Sequence, residues 1–159
     1  MSNSMSVFRW LPCPVVFICT AHGDLRDIMT ATAMFVSEKE PLLTVSVARG
    51  HLTDRLIRDS RMFTLAIAST QQKDLAIQLG SARGGEADKY ARFAVATLPD
   101  GPAGFGVPQA SAAWMHCRVE HEQQIPGYTV WIARVTDQKD LGRAPMVWQA
   151  DAFFRLQGA

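Results

Sequence analysis

The sequence predicts a mainly β fold, an antiparallel barrel of six or seven strands with short flanking helices. Several segments show the two-residue alternation or the short apolar run typical of strands, whereas helical patterns are few and short. Strands and helices do not alternate regularly, as they would in a doubly wound sheet. A chain of 159 residues can bury a core without disulfides or metals, so we expect one domain over residues 1–159.

The strands are predicted from alternation and from β-branched runs bounded by turns. The first is the apolar run PVVFICT, which suits a strand buried on both faces. In LLTVSVA, Leu43, Val45 and Val47 share one face, and the other face is small and polar. In chain order, the predicted strands cover residues 14–20, 42–48, 62–68, 112–121, 128–136, 146–149 and 152–156.

Two short helices are predicted between the strands. The first covers residues 52–59 and has leucine and isoleucine along one side. The second begins where Ser69 and Gln72 have the spacing of a capping box, and Gly80 supplies a stop. Residues 81–88 are then expected to form a polar loop.

Charge and cysteine content exclude several classes of protein. The 16 Lys and Arg residues nearly balance the 15 Asp and Glu residues, so the net charge of +1 gives no general attraction for nucleic acid or a membrane. Cys13, Cys19 and Cys117 lack the paired spacing of a zinc site, so we expect no metal centre and reduced thiols in a cytoplasmic protein. The N-terminal segment has the pattern of neither a signal peptide nor a membrane span. The charged fraction of 19% is low, which a homodimer interface would explain.

The segment from Asp27 to Ser37, DIMTATAMFVS, combines small residues with hydroxyl groups. Small side chains allow a flat ligand to approach the backbone, whose amides can hydrogen-bond to the ligand's edge. On residue types alone, a strand with one tightly packed face is the simpler interpretation. The segment is therefore a candidate ligand site only if its neighbours support one.

The segment ARGHLTDRL, residues 48–56, places Arg49 and Thr53 around the start of the first predicted helix. A guanidinium, a hydroxyl and a helix N-terminus all present donors, and the helix end is partly positive. Together they predict a phosphate site. The alternative is that Thr53 only caps the helix and Arg49 is solvated.

Five motifs in a fixed order resemble the flavin reductase-like, FMN-binding split-barrel family. They are PVVFICT, MTATAMFVSEKEPLLTVSV, RGHLTDRLIRDSRMFTLAI, QQKDLA and DKYARF. The match runs from about Pro14 to Phe93 and continues more weakly to Leu156. It rests on the order and spacing of the motifs, not on any one of them. The resemblance implies a six-stranded antiparallel split β-barrel of Greek-key type, working as a homodimer with the cofactor site at the dimer interface.

The resemblance also implies which residues bind the flavin. They are Thr30, Ala31, Thr32, Ala33, Ser46, Val47, Arg49, Thr53 and Lys89. The first four would form a loop against the isoalloxazine ring and the ribityl chain, largely through backbone groups. Ser46 and Val47 would lie against the flavin, and Lys89 would approach it from the same or the partner subunit. Arg49 and Thr53 would hold the FMN phosphate.

The activity implied by the resemblance is NAD(P)H-dependent reduction of FMN, or of FAD in its place. Electrons would then pass to free flavin, oxygen, a partner monooxygenase or a metal complex. Hydride transfer to a flavin needs no protein acid or base, so no catalytic side chain is predicted.

One departure from the family pattern keeps two alternatives open. Many members carry an Asp-His pair in a stretch resembling GDHxxxxGxV, where this chain has Gly127, Tyr128 and Thr129, so the pair is missing. The first alternative is a non-enzymatic electron carrier of flavoredoxin type with permanently bound FMN. The second is a split barrel that binds another planar cofactor, such as haem.

Overall fold

The computed structural model describes residues 6–83 and 87–159. The strands are β1 (Cys13–Pro14), β2 (Val16–His22), β3 (Leu25–Ala31), β4 (Ala33–Ser37), β5 (Leu42–Ala48), β6 (Met62–Ile67), β7 (Ala113–Ile125), β8 (Tyr128–Asp140), β9 (Met146–Gln149) and β10 (Ala152–Arg155). The α-helices are α1 (Leu52–Ser60), α2 (Lys73–Ser81) and α3 (Lys89–Arg92), and 3-10 helices cover Val7–Trp10 and Thr70–Gln72. The polar loop predicted at 81–88 falls partly on residues 84–86, which lie outside the described residues.

The strands form a seven-stranded sheet and a small three-stranded sheet. The large sheet has the order β3-β2-β6-β7-β8-β5-β4, and the small one has the order β1-β9-β10. β3 and β4 stand at opposite ends of the large sheet, yet they follow each other in the chain with only Thr32 between them. The sheet must therefore curl until its end strands meet at this residue. The result is an open antiparallel barrel with short helices, which confirms the predicted fold class.

The large sheet has seven strands where the resemblance implies six, and two of the seven, β3 and β4, come from a segment in which a loop was expected. The loop expected at residues 30–33 is instead the end of β3, a one-residue break and the start of β4. β3 pairs with β2 along its whole length, and β4 pairs with β5. These ladders satisfy backbone groups that a loop would have left free. The strand interpretation of the DIMTATAMFVS segment is therefore the correct one.

The core lies on both sides of β2, as its apolar sequence predicts. Val16 and Ile18 face the barrel interior, and Phe17 and Cys19 belong to a second cluster under the helices. Burial raises the pKa of the Cys19 thiol to about 12. Burial has the same effect on Cys117, whose thiol pKa is also raised to about 12. Both cysteines are therefore held as neutral thiols.

The two predicted helices form close to their expected positions. In α1, Leu56 and Ile57 are buried, as the apolar side requires, and the helix packs across β2 and β3. Before α2, the backbone N–H of Ser69 donates to Gln72 Oε1 at 3.0 Å, and the Ser69 hydroxyl accepts from the Gln71 N–H at 3.2 Å, which confirms the capping box. No helix in the described parts of the chain is long and apolar enough to cross a membrane.

Candidate functional site

The junction between β3 and β4 brings together the first four candidate residues. The Thr30 hydroxyl donates to the carbonyl of Ala76 in α2 at 2.6 Å, so it anchors the strand to the helix. Ala31 and Ala33 pack against the cluster inside the barrel. Thr32 is exposed, and its hydroxyl has no hydrogen-bond partner within the described ranges. The junction therefore offers a narrow, small-residue surface with one free hydroxyl.

A pocket of about 390 Å³ borders this junction. Thr30, Ala31 and Thr32 form one wall and α2 contributes another, at Ala76, Ile77, Gly80 and Ser81. The remaining walls are apolar or aromatic and include Val15, Trp148 and Phe153. The volume falls within the range of about 300 to 1,000 Å³ that is typical of small-molecule sites. Apolar walls beside a small-residue backbone fit a planar ring system such as that of a flavin.

Ser46 and Val47 lie near the end of β5, beside the start of β4. Ala33 pairs with Val45, so Ser46 is one step along the strand from the β3–β4 junction. The Ser46 side chain is exposed, whereas Val47 is fully buried in the barrel interior. Any contact of Val47 with a ligand would therefore be made by its backbone.

Arg49 follows β5 and precedes α1. Its backbone N–H donates to the Gly127 carbonyl at 2.9 Å, while its exposed side chain reaches only Gln124 Oε1, at 3.5 Å. Gly50 has a φ of +89°, which favours glycine and turns the chain into the helix. His51 is the N-cap residue, but its side chain makes no capping hydrogen bond. The first backbone N–H groups of α1 thus remain available to an anion beside Arg49.

Thr53 and Lys89 are both buried, and both contact a residue that the sequence did not single out. The Thr53 hydroxyl donates to Asp27 Oδ2 at 2.6 Å, and Lys89 Nζ lies 3.1 Å from Asp27 Oδ1. Lys89 Nζ also donates to the Ile28 carbonyl at 2.9 Å. A direct role for Thr53 in an anion site would therefore fall to its backbone N–H, and the Lys89 ammonium is held inside the protein by Asp27 and the Ile28 carbonyl. The signal for this cluster was Asp27 itself, a carboxylate directly before the apolar pair Ile28 and Met29.

The hairpin between β7 and β8 contains Gly127, Tyr128 and Thr129, the residues at which many members of the family carry the Asp-His pair. Thr129 is fully buried, and its hydroxyl accepts from Arg58 Nη2 at 3.3 Å. Tyr128 is half exposed at the hairpin tip, next to Gly127, whose carbonyl holds the Arg49 backbone. The hairpin therefore fixes the backbone at Arg49, next to the candidate anion site. Within residues 6–83 and 87–159, no three His, Cys, Asp or Glu side chains are grouped to bind a metal ion.

Comparisons with known proteins agree with this fold. The sequence model of the flavin reductase like domain matches residues 8–157. A search of curated protein sequences gave no significant match. Among solved structures, the NADH:FAD oxidoreductase SgcE6 of Streptomyces globisporus superposes with a TM-score of 0.85 at 18% identity, covering 96% of this chain and 90% of that protein.

Two further solved structures have the same fold. Flavin reductase PheA2 superposes with a TM-score of 0.82 at 23% identity, covering 99% of this chain and 100% of that one. The FMN-binding protein of Thermus thermophilus, with bound p-hydroxybenzaldehyde, superposes with a TM-score of 0.82 at 17% identity, covering 98% and 92%. At these identities the structural likeness establishes the common fold.

Proposed function

The chain belongs to the flavin reductase-like family, and on that premise we propose that it is an NAD(P)H-dependent oxidoreductase that reduces FMN, or FAD in its place. The observation that carries this proposal is the pocket beside Thr30, Ala31 and Thr32, with its apolar and aromatic walls. A bound flavin supplies the hydride-accepting chemistry at its N5 atom. The protein contributes binding, orientation and exclusion of water.

The small residues of the β3–β4 junction have a specific task in this proposal. Thr32 and its neighbours Ala31 and Ala33 let the ring system reach the backbone, where amide groups on the unpaired outer edges of β3 and β4 can hydrogen-bond to its edge. The bond from Thr30 to the Ala76 carbonyl fixes this wall relative to α2. Val15, Trp148 and Phe153 give the pocket further apolar and aromatic lining.

The phosphate of the nucleotide is assigned to the start of α1. Arg49 supplies an exposed guanidinium, and the uncapped first turn supplies backbone N–H groups at the positive end of the helix dipole. Ser46 lies on β5, next to the residue that pairs with Ala33 at the β3–β4 junction and three residues before Arg49. Ring and phosphate therefore have separate partners on one side of the barrel.

The proposal is tested by adding NADH and then NADPH to the purified protein loaded with FMN. We expect loss of the flavin absorbance under anaerobic conditions and its return in air. An electron carrier would hold FMN without being bleached by either nucleotide, and would need a protein reductant. A split barrel specific for haem would bind haem and show no affinity for FMN. The second and third results would each contradict the reductase proposal.

The second part of the proposal is a cytoplasmic homodimer. On the edge strand β4, Met34, Phe35 and Val36 are exposed by 65%, 67% and 47%, although they are apolar. The helices pack mainly on β2, β3 and β6, so within residues 6–83 and 87–159 no layer of helices covers the side of the barrel formed by β4, β5 and β8. A second copy of the chain would supply that layer and bury the exposed strand edge. Its position next to Thr32 and Ser46 would make the flavin site part of the interface.

We expect Phe35→Asp to convert the dimer into a monomer with weakened FMN binding, because a buried charge at the interface has no partner. Light scattering should give twice 17.5 kDa for the wild type and about 17.5 kDa for the variant. The matched control is Phe8→Asp, which changes an equally exposed phenylalanine in the N-terminal 3-10 helix. A wild-type protein that is monomeric with flavin bound contradicts the dimer.

Reduced flavin must pass its electrons on, and we propose four acceptors. They are free flavin, oxygen, a partner monooxygenase and a metal complex. All four are compatible with a shallow site that opens to solvent near an exposed Thr32.

A further inference from the structure

The Asp27 carboxylate is a buried junction of three separate elements. Asp27, Thr53 and Lys89 are exposed by only 2%, 1% and 3%, and they belong to β3, α1 and α3. Each oxygen of the carboxylate has its own partner, since Oδ2 accepts from the Thr53 hydroxyl at 2.6 Å and Oδ1 faces Lys89 Nζ at 3.1 Å. The Lys89 ammonium then returns to β3 through the Ile28 carbonyl at 2.9 Å.

Joining three elements through a buried charged cluster costs free energy of desolvation. Each ion loses its hydration on burial, and apolar side chains of similar volume often give equal or greater stability. What the cluster provides is geometry, because hydrogen bonds to a carboxylate fix direction as well as distance. The position of the cluster then shows that β3 and the start of α1 are held relative to each other.

The cluster connects the two halves of the proposed flavin site. Asp27 precedes Thr30 by three residues on β3, a distance of about 10 Å along an extended strand. Thr53 lies in the first turn of α1, four residues after Arg49. One bond therefore joins the strand that leads to the ring pocket with the helix turn assigned to the phosphate.

We propose that Asp27 is a positioning residue for a planar ligand that carries a phosphate group. Through Thr53, it holds the first turn of α1 at a fixed place relative to the β3–β4 junction, so that ring and phosphate meet their partners together. Lys89 neutralises the carboxylate that does this. The role rests on the proposed flavin site, and it assigns the Thr53 hydroxyl to Asp27 instead of to the ligand.

The first test compares the dissociation constants of FMN and riboflavin, measured by quenching of flavin fluorescence. Riboflavin has the same ring and ribityl chain but lacks the phosphate. Thr53→Val removes the hydroxyl at nearly constant volume, and we expect it to weaken FMN binding about tenfold while riboflavin binding changes less than twofold. Thr53→Ser restores the hydroxyl and should restore FMN binding. Equal losses for both flavins would overturn the positioning role in favour of a purely structural one.

The second test separates positioning through Asp27 from direct contact with the phosphate. Asp27→Leu combined with Lys89→Met replaces the buried ion pair by an apolar pair and so leaves no buried charge unpaired. We expect this double variant to lose FMN affinity about tenfold, as Thr53→Val does, and to lose less than a further twofold when Thr53→Val is added. An unchanged FMN affinity in the double variant would make Thr53 a direct phosphate ligand and overturn the proposal.

The third test needs no flavin. The Arg55 N–H bonds to the His51 carbonyl at 3.2 Å, so amide hydrogen exchange near this residue reports on the first turn of α1. We expect faster exchange at Arg55 to Ile57 in ligand-free Thr53→Val and in the double variant. Unchanged exchange would mean that the bond between Asp27 and Thr53 does not hold the first turn of α1. It would overturn the positioning role of Asp27 without contradicting the flavin site. A wild-type protein that binds neither FMN nor riboflavin overturns the proposed function and, with it, the role of Asp27 in that site.

Discussion

Replacing Lys89 by methionine is expected to lower the free energy of unfolding by about 3 to 5 kcal/mol, because it leaves a buried carboxylate without its cation. Asp27 would keep the Thr53 hydroxyl as a donor, but a single neutral donor does not compensate an ion that is 2% exposed. Urea denaturation followed by tryptophan fluorescence measures the change. The midpoint should fall with the slope unchanged, as expected for a loss of native-state stability.

The matched control is Lys139→Met, which removes a lysine from an exposed ion pair. Lys139 Nζ lies 2.7 Å from Asp100 Oδ2, and both side chains are about half exposed. Pairs of this kind contribute little because water screens them, so we expect only a small change. Adding Asp27→Leu to Lys89→Met should recover most of the lost stability, since no charge then remains buried. Equal effects of the two lysine substitutions would contradict the assignment of the buried pair.

Arg49→Ala should weaken FMN binding by about one to two orders of magnitude, since a hydrogen bond to a charged group contributes roughly 1.5 to 3 kcal/mol. Riboflavin affinity should hardly change. The fold should tolerate the substitution, because the contact that Arg49 makes to Gly127 comes from its backbone N–H. Added salt should reduce the preference of the wild type for FMN over riboflavin, as screening weakens an exposed ion contact.

Arg55→Ala is the control for this comparison. Arg55 is exposed on α1, the helix that follows Arg49, and its loss changes the net charge by the same amount as the loss of Arg49. A general electrostatic effect would therefore appear in both variants, whereas a phosphate ligand would be revealed only by Arg49→Ala. If Arg49→Ala weakens both flavins alike, Arg49 has no place in the anion site, which then consists of the helix N-terminus.

The fold could be predicted from sequence wherever one periodicity dominates. The strand at 42–48 appears with the predicted bounds because Leu43, Val45 and Val47 alternate with small polar residues. The two long strands β7 and β8 extend beyond the predicted ranges at opposite ends of their hairpin, β7 next to Gly127 and β8 where residues 137–140 pair with residues 113–116. In both places the pairing continues through largely polar residues that alternation does not reveal. The division of Asp27 to Ser37 into β3 and β4 was hidden as well. Its residues are small throughout, and the break at Thr32 follows from the curl of the whole sheet.

In the candidate site, too, local contacts could be predicted from the sequence and long-range contacts could not. Local spacing placed Arg49 and the start of α1 together, because they are neighbours in the chain. The partners of Asp27, Thr53 and Lys89, lie 26 and 62 residues further along the chain, and no local sequence pattern predicts contacts over such separations. The sequence and its resemblance to the family therefore indicated Thr53 and Lys89 as site residues. That the Asp27 carboxylate binds both side chains became evident only from the positions of β3, α1 and α3 in the structure.

The burial of two thiols has a consequence for an enzyme that handles reduced flavin. Reduced flavin reacts with oxygen to give hydrogen peroxide, so such a protein produces an oxidant within its own structure. Peroxide attacks the thiolate and not the thiol, and at neutral pH the fraction of thiolate is negligible when the pKa is about 12, as it is for Cys19 and Cys117. If the proposed reductase passes electrons to oxygen, the packing that stabilises the barrel would thus also protect these two thiols from oxidation.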